Sequence, residues 1–178
     1  INSLGSEKRM CLALGVDDFE VVADRIRELL NLEIPSGLMQ KLKRLPPLMK
    51  LASLGPEVIS SGPCQDVIIQ KDASLDFLPA LKCWPQDGGR YVTTPQVYTK
   101  GLTGKRNVGM YRLQIFDHET AGMHWHRHHD GAVHYREHCK AGKRMEVAIA
   151  LGGDPILTYA ATSPLPPGLD ELMFAGFL

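Results

Sequence analysis

The chain has no excess of charge of either sign: 20 Lys and Arg are balanced by 20 Asp and Glu, for a formal net charge of zero at pH 7. That balance removes the basic field with which nucleic-acid-binding proteins gather phosphates, so nucleic acid is not expected as a primary partner. Long hydrophobic runs are also missing. The apolar stretches are short and interrupted, so no transmembrane segment is expected, and none of the residues given reads as a secretory signal. Cysteine is scarce and scattered, at Cys11, Cys64, Cys83 and Cys139, with no CxxC spacing. This argues against a disulfide framework and fits idle thiols in a reducing cytoplasm. Internal repeats and low-complexity segments are absent as well.

What is present is an ordinary globular composition. The 178 residues are 44% hydrophobic and 22% charged, enough for one domain, or one and a half, to bury a real core. The chain opens at "INSLG" without a methionine and stops inside the apolar run "LMFAGFL", so it is expected to be a piece of a longer protein.

The pattern "DDFEVVADRIRELLNLEIP" predicts an amphipathic helix capped by Asp17, with Glu20 three residues on. Phe19, Val22, Ala23, Ile26 and Leu30 share one face, and Pro35 ends the pattern. "SGLMQKLKRLPPLMKLASLGP" predicts a shorter helical pair broken at Pro46 and Pro47. From about Ser61 the texture turns to short β-type runs: "QDVIIQ", "RYVTTPQVYTK", "NVGMYRLQIFD" and "AGMHWHRHH". In the third run Val108, Met110, Arg112, Gln114 and Phe116 would share a face. Runs at this spacing suggest a barrel or sandwich. A helix is expected over "GAVHYREHCKAG", ending on Gly142, then a buried strand in "RMEVAIALGGDP" and a last helix launched after Pro167 and Gly168.

All seven histidines fall between His118 and His138. If residues 122–130 are extended, His124, His126, His128 and Asp130 point one way and Met123, Trp125, Arg127 and His129 the other. Three readings follow. One is a solvated polar face. Another is a three-imidazole zinc or cupin-like site, although the glutamate and glycine spacings of a cupin are missing. The last is a strand facing a phosphate-bearing cofactor, with His and Arg donating to anionic oxygens and Trp125 flanking a ring. "RNVGMYR" adds Asn107, Gly109 and Tyr111 on one face and Arg112 on the other, with Gly109 allowing close backbone approach. An amide oxygen, an imidazole and a carboxylate would suit Mn²⁺ or Mg²⁺ gripping a phosphate.

Taken together, "GPCQDVII", "LPALKCWPQDGGRYVTTPQVYTK", "RNVGMYRLQI", "MHWHRHHDGA", "VAIALGGDP" and "TSPLPPGLDELMFAG" resemble, in order, the UbiD family of decarboxylases that use prenylated FMN. The resemblance runs from "LGSEKRMCLALG" to "DELMFAGFL". It implies an α+β chain. Residues 1–60 would be the end of an N-terminal α/β region and helical linker, and 61–178 a split β-barrel of the flavin-reductase-like FMN-binding type, incomplete at its C-terminus.

The resemblance also implies the site. A divalent ion, usually Mn²⁺, would tie the cofactor phosphate to Asn107, His128 and Glu171, with His129 the alternative imidazole. A monovalent ion, usually K⁺, would sit against Thr162, Ser163 and Leu165. Met110, Tyr111, Arg112, His124, Trp125, His126, His129 and Asp130 would contact the cofactor, and Arg112 would be the catalytic arginine facing the substrate carboxylate. The family's partner acids fall after Leu178, so this fragment alone is expected to be inactive. The implied reaction is reversible, non-oxidative decarboxylation of a small aromatic acid, of hydroxybenzoate type or carrying a prenyl tail for ubiquinone or menaquinone synthesis. A flavin prenyltransferase would supply the cofactor, and the full-length protein would form homo-oligomers in the cytoplasm, at the membrane if its substrate is polyprenylated. Two rivals stand beside this: a non-catalytic flavin-binding, flavin-reductase-like module, and a His-rich metal-binding protein.

Overall fold

The structure is a computed structural model that describes residues 4–30, 54–165 and 169–178. The helical pair expected around Pro46 and Pro47, and the Pro167–Gly168 launch, lie outside these residues. Spatial contacts divide the chain into two units, one formed by 1–56 with 154–178, the other by 57–153.

The first unit is helical. Helix α1 (Glu7–Leu14) starts at Ser6, whose side chain accepts from the Arg9 N–H, and ends at Gly15 with φ 65°. Only glycine adopts that left-handed turn at little cost. Helix α2 (Phe19–Leu30) is capped one residue later than expected: Asp18, not Asp17, accepts from the Glu20 N–H at 2.9 Å. Its inner face is the expected one, with Val22 at 2% exposure and Phe19 and Ile26 packed beside it. Helix α4 (Pro155–Ala160) and helix α5 (Glu171–Phe177), capped by Asp154 and Asp170, complete this core through Ala160 and Phe174.

The second unit is built on two three-stranded antiparallel sheets. One has the order β1 (Arg90–Val92), β4 (Leu113–Ile115), β5 (Ala121–Met123). The other has the order β3 (Arg106–Met110), β2 (Gln96–Lys100), β6 (Val147–Ala150). The chain changes sheet three times, at Thr93–Pro95 between β1 and β2, at Tyr111–Arg112 between β3 and β4, and across residues 124–146 between β5 and β6. Helix α3 (Asp130–Lys140) packs against β2 and β3, and Gly142, at φ 63°, follows its end as expected. Val97 and Val108 are fully buried, and Tyr111 and Leu113 extend this core toward Trp125.

The α+β reading stands, with antiparallel sheets and no closed barrel among the described residues. Five expected elements change, one of them "AGMHWHRHH", in which only Ala121–Met123 are strand. "NVGMYRLQIFD" is two strands in different sheets, because the chain breaks at Tyr111–Arg112. "RYVTTPQVYTK" is likewise two strands, divided at Pro95, which cannot donate to a ladder. "QDVIIQ" forms no strand, and Val67, Ile68 and Ile69 are 78%, 68% and 55% exposed. Strand β6 is a sheet edge with Val147 and Ile149 exposed, not buried.

Candidate functional site

The residues that matter lie where the chain leaves β3. Asn107 and Gly109 alternate with Val108 along this strand, so both face the side opposite the buried valine. The chain then turns, and the Tyr111 ring folds back over Gly109, so closely that a Cβ there would fall within the ring. Its hydroxyl donates to Asn107 Oδ1 at 3.1 Å. The expected common face of Asn107, Gly109 and Tyr111 is thus observed, and the reason for glycine is Tyr111 itself.

The histidine segment is mostly not a strand. Strand β5 ends at Met123, residues 124–126 run on irregularly, and the chain turns before α3. The alternation that would put His124, His126 and His128 on one face therefore ends at Met123. Two contacts tie this segment to the β3 exit. The His124 N–H donates to the Arg112 carbonyl at 3.0 Å, and the His129 ring stacks on Tyr111 with centroids 5.0 Å apart and planes at 30°. Trp125 meets Tyr111 edge-on at 6.1 Å, and its indole lies over Gly131, where a Cβ would come within 2.9 Å of Nε1. That buried indole N–H has no hydrogen-bond partner among the described residues.

His129 precedes α3 as its N-cap, and its Nδ1 accepts from the His126 N–H at 3.2 Å. Accepting at Nδ1 leaves the proton on Nε2. Burial first, then the neighbouring imidazoles of His126 and His124, hold His129 below the ordinary histidine range. His128 lies exposed on the turn, and Asp130 opens α3. Among the described residues no three of His, Cys, Asp and Glu lie together as a metal cluster, so the three-imidazole zinc site is not assembled.

Arg112 is exposed, and its guanidinium sits over the Tyr91 ring, 5.3 Å from the centroid. Beside it, Tyr91 also walls a mainly apolar cavity of about 230 Å³, lined by Leu78, Leu81, Val92 and Leu151 among others. Met110 closes β3 and pairs with Gln96.

The remaining expected ligands belong to the helical unit. Glu171 opens α5 and is 8% exposed, an unusual burial for a carboxylate. Thr162 Oγ1 and Ser163 Oγ both donate to the Tyr159 carbonyl, at 2.7 and 3.2 Å, closing the end of α4, and Leu165 packs on the helical core.

Three features were not read from the sequence. Tyr91 looked like one residue of an alternating run. Gly131 was read only as the start of the expected helix, although its place beside the Trp and His residues was a usable signal. His134 was one histidine among many, yet it is 5% exposed and hydrogen-bonded through Nδ1 to Thr99 Oγ1 at 3.0 Å.

An α+β unit whose two antiparallel sheets exchange strands beside an aromatic and imidazole seam is the architecture to be matched. Residues 57–178 match the family model of the UbiD 3-octaprenyl-4-hydroxybenzoate carboxy-lyase Rift-related domain, and the chain belongs to the UbiD family. An uncharacterized protein of Aquifex aeolicus is 47% identical over 178 residues, covering 99% of this chain and 37% of that relative. The closed form of the vanillic acid decarboxylase of Sedimentibacter hydroxybenzoicus is 26% identical, with a TM-score of 0.75 over 97% of this chain and 35% of its own. An evolved dimeric form of the UbiD-class enzyme HmfF from Pelotomaculum thermopropionicum, solved with prFMN, shares the fold at 23% identity, with a TM-score of 0.72 over 98% of this chain and 37% of its own. The chain spans 37% of the length of the Aquifex relative and 29% of a similar Helicobacter pylori protein. No helix among the described residues is long and apolar enough to cross a membrane.

Proposed function

We propose that the full-length protein is a reversible, non-oxidative decarboxylase of an aromatic acid, working with prenylated FMN held by residues 61–178 as a split-barrel domain. Residues 1–60 would be the end of the preceding α/β region. The observation that carries this reading is the seam: Tyr111, Trp125 and His129 form one aromatic and imidazole wall, and all three belong, with Arg112 next in the chain, to the cofactor-contact set expected from the family. The wall fits a flavin nucleotide. It offers flat surfaces, a buried indole N–H still lacking an acceptor, and two glycines that keep its aromatic rings seated.

Asn107, His128 and Glu171 would hold a divalent cation, Mn²⁺ by family resemblance, against the cofactor phosphate. The Asn107 amide oxygen has two lone pairs, so it can keep Tyr111 and still ligate. The hydroxyls of Thr162 and Ser163, with Leu165, would serve a K⁺ ion. Their protons are already given to Tyr159, which leaves the oxygen lone pairs to accept a cation.

Removing CO₂ from an aromatic carbon leaves an electron pair that no side chain can take up, and the bound modified flavin supplies that electron sink. Arg112 receives the substrate carboxylate: a guanidinium stays charged and grips two oxygens at once. The neutral His129, with its proton on Nε2, offers a donor that carries no charge of its own. The acid that returns a proton to carbon is expected beyond residue 178. A hydroxybenzoate-type substrate, a flavin prenyltransferase as supplier, a homo-oligomeric assembly and a cytoplasmic location complete the proposal.

The test is Arg112→Ala in the full-length, cofactor-loaded protein. Turnover of hydroxybenzoates should fall by about a hundred- to a thousandfold while the flavin absorbance stays. Retained turnover would contradict the role of Arg112.

A further inference from the structure

We infer that Tyr91 is a positioning residue for Arg112: its ring is the platform that holds the guanidinium in place while leaving the guanidinium donors for an incoming carboxylate. This rests on the proposed role of Arg112 and goes beyond it, because nothing in the motif pattern assigns Tyr91 a part.

Three observations carry it. The Arg112 Cζ lies 5.3 Å from the Tyr91 centroid, within the range at which a cation is held by the negative face of a ring. Among the described residues, Arg112 has no ion pair or side-chain hydrogen bond besides this contact, so its donors are not already spent on a carboxylate. The platform is fixed from both sides. Tyr91 pairs with Gln114 in β4, and its N–H donates to the Leu81 carbonyl at 3.0 Å. Arg112 is fixed independently, by its own carbonyl accepting from His124. Two backbone anchors thus set the ring and the cation in register.

A salt bridge would hold an arginine as firmly but would neutralise it and occupy the fork that a carboxylate needs. An aromatic face holds the cation and leaves the in-plane donors open. That difference separates a positioning platform from a structural ion pair.

The test uses the full-length protein and benzoate as the probe, with the dissociation constant measured by calorimetry beside KM and kcat. Tyr91→Phe keeps the π-face and should bind benzoate within about twofold of the parent, whereas Tyr91→Leu should weaken binding and raise KM by about three- to tenfold. Should Tyr91→Leu fold poorly, pentafluorophenylalanine at position 91 keeps the shape of Phe and reverses the ring's electrostatics, and the same weakening is expected. In an Arg112→Ala background Tyr91→Leu should cause no further loss, since the ring acts only through the cation. Benzoate affinity unchanged in Tyr91→Leu or the fluorinated variant, with Arg112→Ala still damaging, overturns the inference alone. Full affinity and turnover in Arg112→Ala overturns the parent reading instead. A Tyr91→Phe loss equal to that of Tyr91→Leu would assign the effect to the hydroxyl and overturn the platform.

Discussion

Two stretches of the same unit, 57–84 and 106–131, are both rich in apolar and aromatic side chains and end up in opposite conditions. In the first, Val58 is 95% exposed, Val67 78%, Phe77 70% and Trp84 70%, and regular structure is limited to two single 3₁₀ turns and the isolated bridge of Leu81 with Tyr91. In the second, Val108, Tyr111 and Leu113 are buried, and glycines at 109 and 131 seat the rings of Tyr111 and Trp125. Hydrophobicity alone does not decide burial. What distinguishes the second stretch is a pair of sheets that change hands at Tyr111–Arg112 and empty space left by glycine where a ring must lie flat.

The largest break in this contrast should come from Gly109→Ala. The added methyl would fall inside the Tyr111 ring, so the ring must move and the Asn107 hydrogen bond goes with it. A loss of about 3 kcal/mol in unfolding free energy is expected by denaturant titration, with the flavin content of the full-length protein reduced. Gly131→Ala should cost about 1–2 kcal/mol, because the indole of Trp125 is at 2.9 Å from the new Cβ and can shift more easily than a ring wedged against its own strand.

Acid should loosen the packed side of the same unit as well, through a buried histidine of α3 just after the second stretch. Burial holds His134 below its ordinary value of 6.5 despite the carboxylates of Glu137 and Asp130, and Lys105 and His138 press the same way as burial. A histidine whose folded-state value is lowered takes up its proton more readily in the unfolded chain. Stability is therefore full above about pH 6.5 and falls as the pH drops below it. Thermal melts from pH 7.5 to 5 should show that slope, and His134→Gln should reduce it, His129 supplying the remainder. At the other end of the scale, Ile68→Ser in the exposed stretch should change stability by no more than about 0.5 kcal/mol, measured on the 178-residue chain. A larger loss would mean that 57–84 is packed after all.

Of the expected site, what the motif order made legible is that two segments belong together: Asn107 to Arg112 meets His124 to Asp130 through the His124–Arg112 hydrogen bond and the Tyr111–His129 stack. The fold was legible where periodicity reports burial directly, as on the inner face of α2 and at the glycine after α3. It was hidden where tertiary structure overrides local preference. "NVGMYRLQIFD" reads as one strand, but only the pairing of β3 with β2 and of β4 with β1 shows that it serves two sheets. The β-branched run of "QDVIIQ" finds no neighbouring strand and forms none. The Tyr91 platform was illegible for a related reason: a ring 21 residues before Arg112 becomes its neighbour only through the register of β1 with β4.

The proposal that the Tyr111–Trp125–His129 seam would seat a prenylated flavin, with Asn107, His128 and Glu171 holding a metal ion, is tested most directly by composition. The full-length protein, co-expressed with a flavin prenyltransferase, should purify with the absorbance of the prenylated cofactor and with manganese, and Tyr111→Ala should lose both together. Zinc bound without any flavin, or ordinary flavin bound without metal and unaffected by Tyr111→Ala, would contradict it.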